Sequence, residues 1–257
     1  MPLRLITLTI VLACALEGCL QASSAGDPVA VTEQLLRLLS DPSPDVRRTA
    51  ALSLGKIGRA EATIALVEAL DDADPLVRQH SAWALGSVGE DALDRAGMAL
   101  VRALEDPSPL VKAAAARALG EVGGTQAMIE LVTEALHHPE AATRQAAVQA
   151  LAGLEAASAG PALLTALDDP DARVRQGAIA ALGELADASA IPHIGRRLFK
   201  DPDPGVRAEA AFRLGKLGGP AEGSMLRKAA AGDGNAEVRR WANWALKQLT
   251  SPVRMLS

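Results

Sequence analysis

The sequence predicts an all-α protein, a right-handed α-solenoid of about seven stacked helical hairpins, and three observations lead there. The 257 residues include no Tyr, two Phe and three Trp, yet 49% are apolar, so the core must be built from Ala, Leu, Val and Ile. Half-buried sheets draw on aromatic and β-branched residues in alternation, and no sustained alternating run occurs. A block that reads DPSPDVRRTAALSLGKIG from Asp41 returns from Asp72, Asp106 and Asp201, with weaker copies from His138, Asp169 and Asp233. Its basic position falls at Arg47, Arg78, Lys112, Arg144, Arg175, Arg207 and Arg239, with spacings of 31, 34, 32, 31, 32 and 32. So regular a period marks a solenoid. Within each block the apolar and small residues are spaced 4, 4 and 3, which is one face of a helix.

Taken in chain order, residues 1–18 have the layout of a signal peptide: a basic MPLR, an apolar run from Leu5 to Leu16, then small polar residues. The run is too short to span a bilayer. Leu16-Glu17-Gly18-Cys19 resembles the lipobox of bacterial lipoproteins. That resemblance implies cleavage before Cys19, lipidation of its thiol, and a membrane-tethered protein. Glu17 departs from the small or apolar residue usual there, and Ser23-Ser24-Ala25 offers ordinary cleavage after Ala25, which would release a secreted chain. The expected location is the bacterial cell envelope, as a periplasmic or outer-membrane lipoprotein, or outside it as a secreted protein if cleavage follows Ala25. Cys14 and Cys19 are the chain's two cysteines, so the mature chain is expected to have no internal disulfide. Residues 19–27 read as a linker, 28–250 as the repeat domain and 251–257 as a tail.

Each unit opens with a short amphipathic helix, seen as VTEQLLRLL, TIALVEAL, ALVRAL, IELVTEAL and PALLTAL. The Asp-Pro region turns the chain into a second helix. Ser43, Asp74, Ser108, Asp171, Asp203 and Asn235 stand at its N-cap, and Pro44, Pro75, Pro109 and Pro204 follow at the first helical position, where Pro costs least. A Leu comes seven residues after the basic position in every copy: Leu54, Leu85, Leu119, Leu151, Leu182, Leu214 and Leu246. Gly55, Gly86, Gly120, Gly183 and Gly215 follow it, with Ala152 in the fourth copy. Gly in a helix interior costs about 1 kcal/mol, so the column predicts close approach of a neighbouring helix. Gly58, Gly89, Gly123 and Gly218 end the helix where a left-handed cap is expected. The fourth copy, HHPEAATRQAAVQALAGL, puts Thr143 in the Val column and Ala141 in the Pro column, and is expected to be a weak joint.

The signature D-P-x-P-x-V-R-x-x-A-x-x-x-L-G resembles HEAT repeats, of the short HEAT-like type associated with phycobilin lyases. Ankyrin repeats need a T-P-L-H turn, and tetratricopeptide repeats use Tyr, which this chain does not contain. The resemblance implies that Asp41, Asp72, Asp106, Asp169, Asp201 and Asp233 join Arg47, Arg78, Lys112, Arg175, Arg207 and Arg239 in a structural ladder tying the inter-helix turn to the second helix. A feature repeated in every unit is scaffold rather than catalyst.

HEAT-like hydroxylases bind iron through His-Glu pairs. His80, His137, His138 and His193 are not followed by Glu, so no metal, cofactor or catalytic residue is expected. A net charge of −5, from 26 basic and 31 acidic residues, does not favour nucleic acid. Function is expected on the concave face, at positions one, two, five and nine after the basic residue. The fifth holds Leu52, Trp83, Arg117, Gln149, Ala180, Phe212 and Trp244, three of the five aromatics. Two uses of this column stay open, partner anchoring and lateral packing. Trp83, Arg117, Phe212, Trp244, His80 and Gln149 are therefore candidate partner-binding residues. Trp241 and Trp244 could also cap the open end. These face columns carry five basic residues (Arg48, Lys56, Arg117, Lys216 and Arg240) and three acidic ones (Glu121, Glu184 and Glu209), a balance that permits an acidic partner. The expectation is a non-enzymatic, exported scaffold for a protein or peptide. The alternative is an enzyme or enzyme subunit related to bilin lyases or hydroxylases.

Overall fold

Each Asp-Pro turn ends one helix and starts the next, so helices come in pairs. A computed structural model describes residues 28–87, 93–123, 125–154, 159–186 and 188–249. The predicted signal peptide with Cys14, the linker with Cys19 and Ala25, Gly89, and the tail 251–257 lie outside these residues. Among the described residues there is no strand, and the helices are α1 (Pro28–Leu38), α2 (Pro44–Ile57), α3 (Thr63–Glu68), α4 (Pro75–Gly86), α5 (Leu93–Ala103), α6 (Pro109–Val122), α7 (Gln126–Ala135), α8 (Ala141–Gly153), α9 (Gly160–Ala166), α10 (Ala172–Glu184), α11 (Ile191–Lys200), α12 (Pro204–Leu217), α13 (Gly223–Gly232) and α14 (Ala236–Leu249). Odd-numbered helices are the first of each hairpin and even-numbered ones the second. None is long and apolar enough to cross a membrane. The fold is the expected all-α solenoid of stacked hairpins.

The chain forms two compact units, residues 1–128 and 129–257, with the division inside α7. In the first, α2 packs on α4 and α4 on α6; in the second, α8, α10, α12 and α14 pack in sequence. The predicted Val and Leu columns are buried at Leu54, Val77, Leu85, Val111 and Leu119 in the first unit and at Leu151, Val174, Leu182, Val206, Leu214 and Val238 in the second, while Val46 and Leu246, in the first and last described repeats, are half-buried. The column ten residues after the basic position varies: Val122 is buried, whereas Ile57 is 36% exposed.

Helix starts differ from the expectation in one respect. Asp74, Asp171 and Asp203 accept the amide N–H groups of the first turn, as does Asn235, but the Ser43 and Ser108 hydroxyls make no such bond. The shared device is the carboxylate two residues earlier. The amide N–H groups of Ser43, Asp74, Ser108, Asp171, Asp203 and Asn235 donate to Asp41, Asp72, Asp106, Asp169, Asp201 and Asp233 at 2.7–3.0 Å. This Asx-type turn fixes the chain before the helix begins, so a serine there is held without using its side chain. In the fourth hairpin His138 takes the Asp place, and its Nδ1 accepts the Glu140 amide at 3.1 Å.

Helix ends also divide. Gly58 is left-handed (φ 67°, ψ 31°) and Gly123 has φ 80°, but Gly218 is extended (φ −70°, ψ 162°), a conformation open to any residue. In the fifth hairpin the same column holds Ala186, whose φ is 52°. An alanine methyl is crowded there by about 1 kcal/mol. Ala186→Gly is therefore expected to raise the Tm, measured by thermal unfolding; an unchanged or lower Tm would show that the position carries no strain.

Candidate binding face

Two surfaces of the repeat carry most of the polar side chains: the edge formed by the turns, and the exposed side of the second helices.

At the edge, each Arg works in two directions. Within its own repeat, Arg47 donates from Nη1 to the main-chain carbonyls of Asp41 and Pro42; across to the next repeat, Nε and Nη2 donate to the Asp72 carboxylate at 2.6 and 2.8 Å. Arg78 repeats the arrangement on Asp106. In the second unit Arg144 grips Asp169, Arg175 grips Asp201 and Arg207 grips Asp233, each through two hydrogen bonds of 2.7–3.0 Å. The Arg six positions after an Asp thus ties the inter-helix turn to the second helix, though not through the carboxylate. That residue reaches the Asp carbonyl, while its charge is met by the following repeat's Asp. The geometry is a planar guanidinium on a carboxylate, which a lysine cannot reproduce. Lys112 occupies the third position of the ladder, buried to 2% exposure. Arg239, in the last repeat, retains the bonds to its own carbonyls, Asp233 and Gly234.

These contacts hold the carboxylates below their ordinary range. At Asp72 and Asp233 the hydrogen bonds from Arg47 and Arg207 are the leading cause. At Asp106, Asp169 and Asp201 burial is the strongest single influence and pushes upward, but the Arg and amide hydrogen bonds together with nearby Arg charges outweigh it. A carboxylate depressed in the folded state binds fewer protons there than in the unfolded chain. Its contribution is complete above the unfolded value of about 3.9 and is lost as pH falls through the lower folded value. The urea midpoint is expected to be flat from neutral pH down to about pH 5 and to fall steeply below about pH 4. A midpoint that holds level to about pH 3 would show that the ladder does not couple to folding.

The exposed side of the second helices is where the candidate residues fall. In the first unit Trp83 is half-buried because it crosses onto the preceding helix: a Cβ at Gly55 would lie 2.6 Å from its Cζ3. His80, also on α4, is half-buried, and its Nδ1 makes no hydrogen bond to any described residue. Burial, then the Arg48 charge, hold its pKa below the ordinary imidazole value, against the pull of Asp74. Arg117 is exposed on α6.

In the second unit Gln149 is exposed on α8, while Phe212 and Trp244 meet. Their rings stack at 5.0 Å between centroids, with 27° between planes. Trp241 completes a triad, edge-on to Phe212 at 5.1 Å and to Trp244 at 5.7 Å. All three rings are half-buried, so the column packs laterally and still shows a surface. The sequence left Trp241 open between end capping and binding and did not show this cluster. The available signal was that positions two and five after a basic residue lie three apart, on one helix face. Lys216 and Arg213 stand 5.2 and 5.4 Å from the Phe212 centroid, and Arg240 stands 5.4 Å from that of Trp241. The basic surplus of this face is partly spent internally. Arg48 pairs with Asp45, Arg240 with Glu237, and Arg213 with both Glu184 and Glu209. Among the described residues no three His, Cys, Asp or Glu side chains gather as metal ligands.

Stacked helical hairpins, an Arg–Asp seam from repeat to repeat and an open row of second helices define a helical-repeat protein. The profile of HEAT repeats matches residues 31–98, 72–152, 97–176 and 160–247, and the chain belongs to that family. The sequence matches no curated protein. Among solved structures, the chain is similar to the complex of CpcE and CpcF of phycocyanin lyase from Nostoc sp. PCC7120, with a TM-score of 0.50 and 21% identity over 89% of this chain and 98% of that one. It is also similar to the Escherichia coli protein YibA, with a TM-score of 0.51 and 20% identity over 88% of this chain and 99% of that one. Human deoxyhypusine hydroxylase aligns with a TM-score of 0.43 and 23% identity over 97% of this chain and 99% of that one. At these identities the likeness is one of fold.

Proposed function

We propose that this HEAT-repeat chain is a non-enzymatic scaffold, exported to the bacterial cell envelope, that binds a protein or peptide partner along the exposed side of its second helices. The observation that carries the reading is the triad of Phe212, Trp241 and Trp244. A chain with five aromatic residues sets three of them in mutual contact on one half-exposed surface, one pair stacked and two edge to face. Large rings that already pack on one side lose little entropy when a partner covers the other, which is why Trp and aromatic clusters anchor interfaces. Repeat proteins use extended surfaces of this kind for recognition. The structure of CpcE and CpcF is itself that of a complex between two proteins.

The reading is tested by exposing wild-type protein and a Trp83→Ala/Arg117→Ala/Phe212→Ala variant to envelope extract. The partner recovered with the wild type is identified, then titrated in purified form against both. A weakened affinity supports the face, and equal affinity overturns it. Mass spectrometry of the mature N-terminus tests the export route, since a lipidated Cys19 marks tethering and a start after Ala25 marks secretion. A shifted bilin absorption that stays with the purified protein through gel filtration would instead revive the lyase-related reading.

A further inference from the structure

The second unit carries a recess of about 370 Å³ between α10, α12 and α14, beside the aromatic triad. Its chemistry is selective. Glu209, Glu237 and Gln176 line it together with the rings of Phe212 and Trp241, and no basic side chain does. Gly205 leaves the space open: a Cβ there would stand 3.7 Å from the Gln176 carboxamide oxygen and 3.0 Å from Asp203 Oδ1.

Both carboxylates are held and only half used. Arg213 Nε donates to Glu209 Oε1 at 2.7 Å, and Arg240 Nη2 donates to Glu237 Oε1 at 3.1 Å. The second oxygen of each accepts no hydrogen bond from any described residue. Neither arginine lines the recess, so each fixes its carboxylate from outside and leaves an acceptor turned to other use. The Glu209 side chain is 19% exposed, so a cation placed against it would be screened less than at an open surface. Phe212 and Trp241, with planes 73° apart, form an aromatic corner, and Trp244 stacked on Phe212 prevents that ring from turning away. The unused carboxylate oxygens and the carboxamide oxygen are acceptors for a cation, and the rings give apolar surface to its stem, their own cation contacts being made already by Lys216, Arg213 and Arg240.

We infer that this recess binds the cationic side chain, arginine or lysine, of a basic segment in the partner; the inference rests on the reading of the exposed second helices as a partner-binding face. It replaces the acidic partner that the residue balance of that face permitted with one of opposite charge.

The test uses the full chain and small probes. Acetyl-arginine amide is expected to change the tryptophan emission saturably, while its neutral isostere acetyl-citrulline amide and the anionic acetyl-glutamate amide do not. Glu209→Gln/Glu237→Gln is expected to weaken the arginine probe about tenfold or more, equivalent to about 1.4 kcal/mol. Because that variant also removes two ion pairs, Gln176→Glu is measured beside it. A third carboxylate at this exposed position should tighten the arginine probe, a gain that misfolding cannot produce. Equal binding of arginine and citrulline probes, or preference for the glutamate probe, overturns the inference. If the arginine probe fails while the Trp83→Ala/Arg117→Ala/Phe212→Ala variant still loses its partner, the face stands and the recess assignment falls. If the probe binds and that variant keeps its partner, the recess is a cation site and the face reading falls.

Discussion

Asp201→Ala is expected to cost about 3 kcal/mol or more of unfolding free energy, several times the cost of Asp41→Ala in the same column. Both residues accept the amide N–H of the residue two further on, so the substitution removes the same turn bond from each. What differs is the neighbour. Asp41 belongs to the first described repeat, and no guanidinium among the described residues reaches its carboxylate, so its loss is that of one partly exposed hydrogen bond, about 1 kcal/mol. Asp201 is gripped by Arg175 through two bonds of 2.8 Å, and the two side chains are 0% and 8% exposed. Arg197 stands 3.7 Å from the same carboxylate, with its Nε buried and making no hydrogen bond. Removing Asp201 therefore leaves the Arg175 guanidinium uncompensated in a region that water reaches poorly, while Arg197 keeps its ion pair with Asp168. The cost is mainly that of the stranded Arg175 charge rather than that of the lost attraction. Two further measurements separate these contributions. Arg175→Met added to Asp201→Ala should recover part of the loss, because the stranded charge is gone. Urea unfolding that gave equal losses for Asp41→Ala and Asp201→Ala would show that the turn bond is the whole value of the column and that the inter-repeat pair adds nothing.

The same column shows how far the chain's organisation is legible in its residues alone. The period, the helical faces and the helix-opening prolines are local features, each set by spacing along one chain, and the structure has them where the residues indicate. The ladder was legible as a list of residues and not as a set of bonds. An Asp six positions before an Arg looks like its partner, but the distance along the turn suits the Asp carbonyl, while the rise to the next repeat suits the carboxylate. That choice depends on how repeats stack, which no single repeat contains. The turn of the fourth hairpin was similarly hidden: only the position of the Glu140 amide shows that a histidine ring nitrogen stands where a carboxylate oxygen would. For the candidate face, the shared column of Phe212 and Trp244 pointed to the right helices. Trp241 and Glu237 joined it through the stagger between α12 and α14, a quantity set by the residues between them rather than by their own pattern.

That stagger is set by Gly215, and Gly215→Ala is expected to destabilise the protein by about 2 kcal/mol even though alanine is the better helix former by about 1 kcal/mol. A methyl at this position would lie 2.7 Å from the Cα and 2.5 Å from the Cβ of Ala245, and 3.2 Å from Cζ3 of Trp244. The first two atoms belong to the backbone of α14 and its shortest side chain, so no rotamer can yield and the helices themselves must part. Gly232→Ala is the control. It is exposed at the end of α13, and a Cβ there meets nothing within 4 Å, so the same substitution should be neutral or gain up to about 1 kcal/mol. Opposite signs for one chemical change would identify helix contact, not helix propensity, as the reason for glycine after the core leucine. Parting α12 from α14 would also draw Trp244 off Phe212 and open the corner that those rings make with Trp241. Gly215→Ala is therefore expected to alter tryptophan emission in the folded state and to weaken the arginine probe, although residue 215 does not line the recess. A Gly215→Ala protein as stable as wild type, with unchanged emission, would mean that the second helices are free to adjust their spacing and that the glycine column is not what positions the face.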